Sequence, residues 1–318
     1  MDPTDIFKKR NFSKVNFDYE ELIGRNLSNS NLKGVVLKNR DIHNADLSGS
    51  DLSGSDLSDT ILFNVSNMDL INQILLDNIK NSISEIVPKK KIDIAFSGGV
   101  DSTLVSKICT DMGFDVVLLT IGFSESHDII FSKEVNECLH YSHHVLEIDP
   151  ETFPSITSNI RNVIDTDNLS WHENCIAFHY VSKLAKSLNL DTVITGNGID
   201  ELFCGYNAYR EAFSGGQTKI NDVMNSKLDN ELKMMKAVNV IASEFNVKIL
   251  QPLLSAKFIE YAKTIPISEK IHSSDDLYRK HIIRKLAIDV GVPEISCNKR
   301  KKALQYGSKI HKSLLKTR

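Results

Sequence analysis

The stretch IDIAFSGGVDS, residues 92–102, places an apolar, strand-like run directly before a loop of small residues and one carboxylate. Gly98 and Gly99 permit backbone dihedrals and a close approach of ligands that other residues resist. A helix after this loop would present free N–H groups and the positive end of its dipole. Ser97 and Ser102 add hydroxyl donors. The stretch therefore predicts a phosphate-binding loop built from neutral donors.

Asp101 adds a charge that changes the expected chemistry of this loop. A carboxylate repels phosphate unless a divalent cation lies between them, so the loop predicts Mg²⁺ as a cofactor. The Walker A pattern requires a lysine after its last glycine, whereas Val100 follows Gly99 here. The loop is therefore expected to bind nucleotide phosphates in a different way from the Walker A loop.

Strand-like and helical segments alternate on both sides of the loop. This alternation predicts an α/β fold, a parallel sheet with helices on both faces. Ligands of such sheets gather at the carboxyl ends of the strands, where this loop falls. The predicted helices include 68–87, 103–112 and 176–188, and the predicted strands are 92–96, 116–121, 143–148 and 191–196.

Large apolar residues recur at every fifth position of the N-terminal segment. Neither a helix nor a strand has this period, so it indicates a solenoid. The copies ADLSG, SDLSG and SDLSD resemble the pentapeptide-repeat family, whose right-handed quadrilateral β-helix points its central residues inward. We therefore divide the chain into a repeat segment, 10–66, and an α/β domain, 67–318. The recurring residues are Phe12, Phe17, Leu22, Leu27, Leu32, Leu37, Ile42, Leu47, Leu52, Leu57 and Leu62.

The composition of the chain limits the classes of binding partner and the cellular location that we expect. The net charge of −3 gives no bulk attraction to nucleic acid. The five cysteines are scattered without a CxxC pair, which favours a reducing, cytoplasmic location over a disulfide framework or a zinc knuckle. The N-terminus lacks the apolar core of a signal peptide, and no apolar run has the length of a membrane span. Neither a membrane nor a nucleic acid is an expected partner, although the repeat is expected to act as a spacer or to bind a protein.

Five segments together resemble a known family. The loop SGGVDS is similar to the PP-loop of ATP pyrophosphatases, which amide ligases, NAD synthetases and tRNA-modifying enzymes share. Residues 120–148 resemble the adenine-side segment of asparagine synthetases, and VITGNGIDELFCGYNAY, 193–209, resembles their pattern SGEGxDExFxGY. Lys280 and Arg284 match a K-x-x-L-R element, and 299–308 resembles the terminal R-x-K segment. The likeness to the C-terminal domain of asparagine synthetases covers about residues 68 to 310.

This resemblance implies an adenine nucleotide alpha-hydrolase-like fold and a role for each matched residue. Asp101 and Asp200 would share Mg²⁺. Asp200, Lys280 and Lys302 would be catalytic, with Lys302 stabilising the charge that develops at the α-phosphate and later at the acyl carbon. By the same resemblance ATP would contact Ala95, Ser97, Gly98, Gly99, Val100, Asp101, Ser102, Ile121, Thr195 and Gly196.

The implied reaction is ATP-dependent amide formation of the asparagine synthetase type. A small carboxylate, with aspartate one candidate, attacks the α-phosphate of ATP, and ammonia or an amine then displaces AMP from the acyl-adenylate. Such chemistry depends on positioning and charge neutralisation more than on acid–base groups. Two other interpretations stay open: a nucleotide-binding or scaffold protein without ligase activity, and an RNA-modifying enzyme with the same loop.

The chain departs from the family pattern at three places. Met1 precedes Asp2 where full-length synthetases expose a catalytic cysteine, so we expect ammonia, a separate glutaminase or another amine as the nitrogen source. Asn197 stands where the family has the Glu of GEG. In KILQPLLS, 248–255, Leu250 and Ser255 replace an Arg and an Asp, which leaves the carboxylate substrate open.

Overall fold

The computed structural model describes residues 11–13, 15, 17, 22–42, 44–47, 50–52, 55–57, 60, 68–87, 90–164, 166–300 and 302–316. Within these ranges no helix combines the length and the apolar character that a membrane crossing requires.

A five-stranded parallel sheet forms the centre of the α/β domain. Its strand order is β3-β2-β1-β4-β5, and every neighbouring pair is parallel. This confirms the predicted parallel sheet with helices. The strands are β1 Lys91–Ala95, β2 Asp115–Gly122, β3 Ser142–Glu147, β4 Thr192–Ile194 and β5 Lys248–Leu250.

The sequence of β2 shows why both faces of the sheet are covered. All of its residues after Asp115 are buried. Successive side chains of a strand point to opposite faces, so an uninterrupted buried run needs packing on both sides. A continuous apolar sequence such as VVLLTI is typical of such a strand. Helices that follow β1 and β3 in the chain pack against β2.

The helices alternate with the strands as the sequence predicts. The predicted boundaries are close at 68–87, whereas the segment 176–188 belongs to a longer helix that begins at Leu169. Asn168 caps that helix by accepting hydrogen bonds from the Ser170 and Trp171 amides. In chain order, the helices are α1 Met68–Ile86, α2 Val100–Asp111, α3 His127–Leu139, α4 Phe153–Ile164, α5 Leu169–Ser187, α6 Ile199–Leu202, α7 Asn207–Ala212, α8 Gly216–Ser243, α9 Ala256–Thr264, α10 His281–Asp289, α11 Glu294–Cys297, α12 Leu304–Gly307 and α13 Ile310–Leu314.

One predicted strand was too long, and one strand of the sheet was not predicted. The run 191–196 forms a strand only over Thr192–Ile194, because the chain leaves the sheet at Thr195 to begin the loop before α6. Strand β5 was not predicted at all, since its three residues are too few to show a periodic pattern.

The strand order places a topological switch at β1. The chain leaves β1 toward β2 on one side, and β4 lies on the other side of β1. Helices that follow neighbouring strands of this kind diverge and leave a crevice at the carboxyl ends of the strands. The loops after Ala95 of β1 and after Ile194 of β4 both open into this crevice.

The N-terminal segment shows the predicted periodicity in its burial. Of the eleven recurring apolar residues, the ten from Phe12 to Leu57 are buried, and Leu62 lies outside the described residues. Parallel bridges join residues 20 positions apart, Asn31 with Asp51 for example. The hydroxyls of Ser55 and Thr60 donate to carbonyls 23 residues earlier, which gives small polar residues a function between the apolar ones. The right-handed quadrilateral β-helix and the division at 66/67 stay predictions.

Candidate active site

The loop between β1 and α2 has the backbone geometry that its glycines permit. Gly98 has a φ of +75°, and a Cβ there would lie 3.1 Å from the carbonyl oxygen of Phe131. Ser102 Oγ accepts a hydrogen bond from the Ser97 amide at 3.3 Å and donates to the Gly99 carbonyl at 3.2 Å. Ser102, in the first turn of α2, therefore closes the loop, and the first amides of α2 lack partners within the helix.

Lys280 joins two of the predicted acidic residues. Its Nζ lies 2.8 Å and 2.7 Å from the two carboxylate oxygens of Asp101 and 3.0 Å from Asp200 Oδ1. The Lys280 side chain is 2% exposed. Burial lowers the pKa of the Lys280 ammonium, and the Asp101 carboxylate opposes that shift. These residues are far apart in the chain, so the fold itself creates this charged cluster.

The same two carboxylates are the predicted Mg²⁺ ligands. Asp101 belongs to the phosphate loop and Asp200 follows β4; both line one cavity, and their side chains are 23% and 13% exposed. Carboxylate oxygens next to a phosphate loop are suitable donors for Mg²⁺, so Asp101 and Asp200 fit this ion. The Lys280 ammonium already neutralises part of their charge, which the sequence did not predict.

One cavity of about 270 Å³ contains nearly the whole predicted site. Every predicted site residue except Gly98 lines it. The C-terminal segment contributes a basic wall of Lys299, Arg300 and Lys302. The cavity therefore combines a phosphate loop, an ion-paired cluster and a positive wall, which suits a polyanionic ligand. The lining residues among those predicted are Ala95, Ser97, Gly99, Val100, Asp101, Ser102, Ile121, Thr195, Gly196, Asp200, Lys280 and Lys302.

Arg284 shows why the K-x-x-L-R spacing matters in this fold. Its guanidinium donates to the carbonyls of Arg279, Cys297 and Lys299. It thereby ties the backbone before Lys280 to the segment that continues into Lys302. Lys280 itself adopts a left-handed conformation with a φ of +54° at the start of α10. Lys280 reaches the site, whereas Arg284 holds together the two segments that supply cations.

A second acidic cluster occupies another part of the cavity wall. Glu201 is 2% exposed and accepts hydrogen bonds from the Gly198 amide and the Tyr206 hydroxyl. Glu231, on α8, is 5% exposed and accepts from Asn197 Nδ2 at 2.5 Å. Burial and the Glu231 charge raise the pKa of Glu201 to about 7, and burial raises the pKa of Glu231. Glu201 is therefore buried, and its carboxylate caps the start of α6 by accepting from the Gly198 amide.

Sequence reasoning missed the contribution of α8. Lys227, Asn230, Glu231 and Met234 all line the cavity and follow helical spacing on one face of α8. No short motif marks them. The available signal was a polar stripe with the period of a helix, which a sequence alone does not distinguish from a solvent-facing stripe.

The segment 248–255, expected on the substrate side, has structural roles here. Leu250 ends β5 and is buried, and Ser255 caps α9 by accepting from the Phe258 amide at 3.3 Å. Neither of these two described residues lines the cavity. In this chain, therefore, neither of these two positions contributes a charged group to the cavity wall.

Comparison with protein families gives two matches. The asparagine synthase family matches residues 83–247, and pentapeptide repeats, in eight copies, match residues 21–62. The chain is 25% identical over 273 residues to a putative glutamine-hydrolyzing asparagine synthetase of Methanocaldococcus jannaschii, covering 75% of this chain and 50% of that protein. It is 22% identical to asparagine synthetase B of Escherichia coli, covering 70% and 42%. The chain thus spans about half the length of these curated relatives, or less.

Solved structures with a detectable likeness include two synthetases. The NMN synthetase of Francisella tularensis aligns with a TM-score of 0.40 and 16% identity, covering 76% of this chain and 77% of that chain. The NH3-dependent NAD synthetase of Campylobacter jejuni aligns with a TM-score of 0.36 and 15% identity, covering 79% and 88%.

Proposed function

The chain belongs to the asparagine synthase family, with pentapeptide repeats before that domain, and on this premise we propose that it is an ATP-dependent, AMP-forming amide ligase. The observation that supports the proposal most is the convergence of Asp101, Asp200 and Lys280 within 3.0 Å contacts beside the phosphate loop. A binding module would need the loop, but it would not need a buried ion cluster next to it.

In the first half-reaction the chain holds ATP and a carboxylate together. The loop from Ser97 to Ser102 binds the phosphates that leave as pyrophosphate, and Ala95, Ile121, Thr195 and Gly196 border the nucleoside. An oxygen of the carboxylate attacks the α-phosphorus, the bond to the β-phosphate oxygen breaks, and pyrophosphate leaves. Lys280 and Lys302 stabilise the negative charge of this transition state.

Mg²⁺ is the proposed cofactor, and Asp101 and Asp200 would hold it. When bound, it would neutralise phosphate charge during the departure of pyrophosphate. Lys280 keeps the two carboxylates close together at a fixed place, so the chain itself positions these ligands.

In the second half-reaction, ammonia or an amine attacks the acyl carbon and AMP leaves. Aspartate is one candidate for the carboxylate. The nitrogen source we propose is ammonia, either free or supplied by a separate glutaminase. A cytoplasmic location, a protein partner for the repeats and their quadrilateral coil of four repeats per turn stay predictions beside this proposal.

ATP–pyrophosphate exchange with Mg²⁺ tests the proposal. A panel of carboxylates that includes aspartate is screened with the wild type, with Asp101→Ala and with the matched control Asp111→Ala. Asp111 is an exposed residue at the other end of α2, where it forms an ion pair with Lys107. We expect exchange with one acid, its loss in Asp101→Ala and its retention in Asp111→Ala.

Absence of exchange with every acid, in a protein that still binds ATP, would contradict the ligase proposal. It would favour a nucleotide-binding protein. If exchange is found, amide formation with the same acid is measured with ammonium chloride and with glutamine. The comparison shows which of the two supplies the nitrogen.

A further inference from the structure

A group of metal-ligand side chains lies away from the candidate active site, in the segment that leads into α10. His272, Asp276 and His281 each offer one ligand atom, and these atoms all lie within 4.8 Å of one another. No other group of three or more His, Cys, Asp or Glu residues meets this condition among the described residues. None of the three lines the cavity that contains the proposed ATP site. The group is therefore separate from the proposed reaction.

The Asp276 carboxylate is already oriented by the backbone around it. Its side chain is 6% exposed. Oδ1 accepts from the Tyr278 and Arg279 amides at 3.0 Å and 2.9 Å, and Oδ2 accepts from the His272 amide at 3.0 Å. Burial opposes ionisation, but the amide hydrogen bonds and the contact with His281 lower the pKa of Asp276 to about 2. A carboxylate that binds a metal has to be ionised, and outer hydrogen bonds of this kind orient it.

The two histidine rings are suited to bind a metal in their neutral form. His272 and His281 stack in parallel, with ring centroids 3.5 Å apart and an angle of 3° between the planes. Two protonated rings in this contact would repel each other, so the stack favours neutral imidazole, the form that binds metals. His281 Nε2 lies 2.6 Å from Asp276 Oδ2. Within the described ranges the ring nitrogens of His272 have no hydrogen-bond partner, so a metal bond would cost His272 no other bond.

These ligands select the class of ion. Two imidazole nitrogens and one carboxylate oxygen suit Zn²⁺ and its transition-metal neighbours, whereas Mg²⁺ and Ca²⁺ prefer oxygen ligands. Tetrahedral Zn²⁺, with bonds of about 2.0 to 2.2 Å, needs ligand atoms about 3.3 to 3.6 Å apart. Because His272 is exposed, its ring can rotate to close the remaining distance. Water would complete the coordination of the ion.

A nearby carboxyl adds to the negative charge around the two rings. Burial raises the pKa of Glu269, and His272 and His281 oppose that shift, so this carboxyl lies within their electrostatic reach. Together with Asp276 it provides two acidic groups beside two imidazoles. This combination favours a divalent cation over an anion.

We propose that His272, Asp276 and His281 form a structural Zn²⁺ site that holds the segment 272–281 in place. The inference goes beyond the ligase proposal and does not rest on it. Arg279 and Lys280, inside this segment, have φ values of +48° and +54°. Left-handed dihedrals are unfavourable for residues with a Cβ and persist where the surrounding structure fixes them. A bound ion would clamp both ends of the segment that contains these two residues.

Zinc titration of the full chain tests the site. The protein is treated with a chelator and dialysed, and Zn²⁺ is then added in competition with a chromophoric chelator, in a buffer that contains Mg²⁺. We expect the wild type to bind one Zn²⁺ per chain. His272→Ala should weaken this binding by about 100-fold or more, because loss of an outer hydrogen-bond partner alone costs about 10- to 100-fold. The exposed His272 ring makes no hydrogen bond to the described residues, so the change leaves the fold intact.

His140→Asn is the matched control. His140 is an exposed histidine at the end of α3, two residues after the exposed Cys138, where added zinc could otherwise collect. Asn tolerates the left-handed φ of +57° that His140 adopts. This variant should bind Zn²⁺ as the wild type does. Zinc binding that is lost in His140→Asn and kept in His272→Ala would identify adventitious surface binding and overturn the site.

Hydrogen–deuterium exchange shows whether the ion holds the segment. Peptides that cover 271–281 contain the amides of His272, Tyr278 and Arg279, all of which donate to Asp276. At a Zn²⁺ concentration of about ten times its Kd, exchange through local opening should slow by about tenfold in the wild type. It should stay unchanged in His272→Ala, and Mg²⁺ at the same concentration should have no effect on either protein.

The outcomes separate this site from the ligase proposal. Absence of zinc binding by the wild type, or an equal Kd in the wild type and His272→Ala, overturns the site. Zinc binding that needs His272 without any change in exchange keeps the site and overturns its role in holding the segment. None of these readouts involves ATP or pyrophosphate, so failure of the ligase proposal leaves the site standing.

Discussion

Lys280 is the residue on which the charge balance of the site depends. Its ammonium lies within 3.0 Å of Asp101 and Asp200, and the side chain is 2% exposed. Removing one partner of a buried ion cluster leaves the others without compensation. The two carboxylates would then repel each other and the phosphates of ATP.

We therefore expect Lys280→Met to lower the rate of pyrophosphate exchange by about 100-fold and the free energy of unfolding by about 3 kcal/mol. Lys285→Met is the control, because Lys285 lies on the same helix in an exposed pair with Asp289. Exchange kinetics and urea denaturation measure the two effects. Equal exchange rates and equal free energies of unfolding in the two variants would contradict the assigned role of Lys280.

Asp93 predicts a pH dependence of stability. This carboxyl is 1% exposed in β1, and its Oδ1 lacks a hydrogen-bond partner among the described residues. Burial raises its pKa from 3.8 to about 7. Between these values the folded protein binds more protons than the unfolded chain, so stability falls as the pH rises through this window. Above it the cost of the buried charge is fully present.

Asp93→Asn removes that charge, so the melting temperature should rise by a few degrees at a pH of about 8 and by much less at about 5. Differential scanning calorimetry at the two pH values measures the difference. Asp229→Asn, an exposed change, should show no such pH dependence. A gain of the same size at both pH values would show that folding does not raise the pKa of Asp93.

At the scale of elements, the loop between β1 and α2 depends on Gly98. A Cβ at this position would lie 3.1 Å from a backbone oxygen of α3, and the φ of +75° is itself unfavourable for alanine. Gly113 provides a matched comparison, because its φ is +83° and a Cβ there would meet nothing within 4 Å. The two positions share the backbone penalty of about 1 kcal/mol, and only one has the steric contact.

Gly98→Ala should therefore displace the loop and raise the KM for ATP by about tenfold, whereas Gly113→Ala should lower stability alone. Exchange kinetics and thermal melts of both variants measure this. Similar ATP kinetics in the two variants would mean that the loop tolerates the displacement.

The elements were predictable where a local pattern specified them. Strand-like runs of five or six residues, rich in Val, Ile and Leu, gave β1, β2 and β3, and the glycines between a strand and a helix gave the phosphate loop. Strand β5 and helix α6 were not predicted, because elements of three or four residues carry no periodic signal. The burial of Glu201 was also beyond the sequence, since it depends on Tyr206 and on α8 packing over the loop.

At the scale of the whole molecule, the site exists only in the complete fold. Its predicted phosphate-binding and charged residues come from the loop after β1, the loop after β4, the start of α10 and the C-terminal segment, and α8 adds a further wall. A resemblance to known motifs named most of these residues, but it could not show that Lys280 bridges Asp101 and Asp200. Contacts between residues 80 to 179 positions apart follow from the topology and not from local sequence.

This assembly predicts a strong linkage between ATP binding and global stability. A ligand that contacts all four segments binds the folded chain and not the unfolded one. At a concentration of about 100 times its Kd, the Mg²⁺ complex of α,β-methylene-ATP should stabilise the protein by about 2.7 kcal/mol, or raise its melting temperature by roughly 5 °C. This analogue is not cleaved between the α and β phosphates, so binding is measured without turnover. Asp101→Ala should lose most of the shift and Asp111→Ala should keep it. A shift that is equally large in Asp101→Ala would show that the ion-paired cluster takes no part in binding the phosphates.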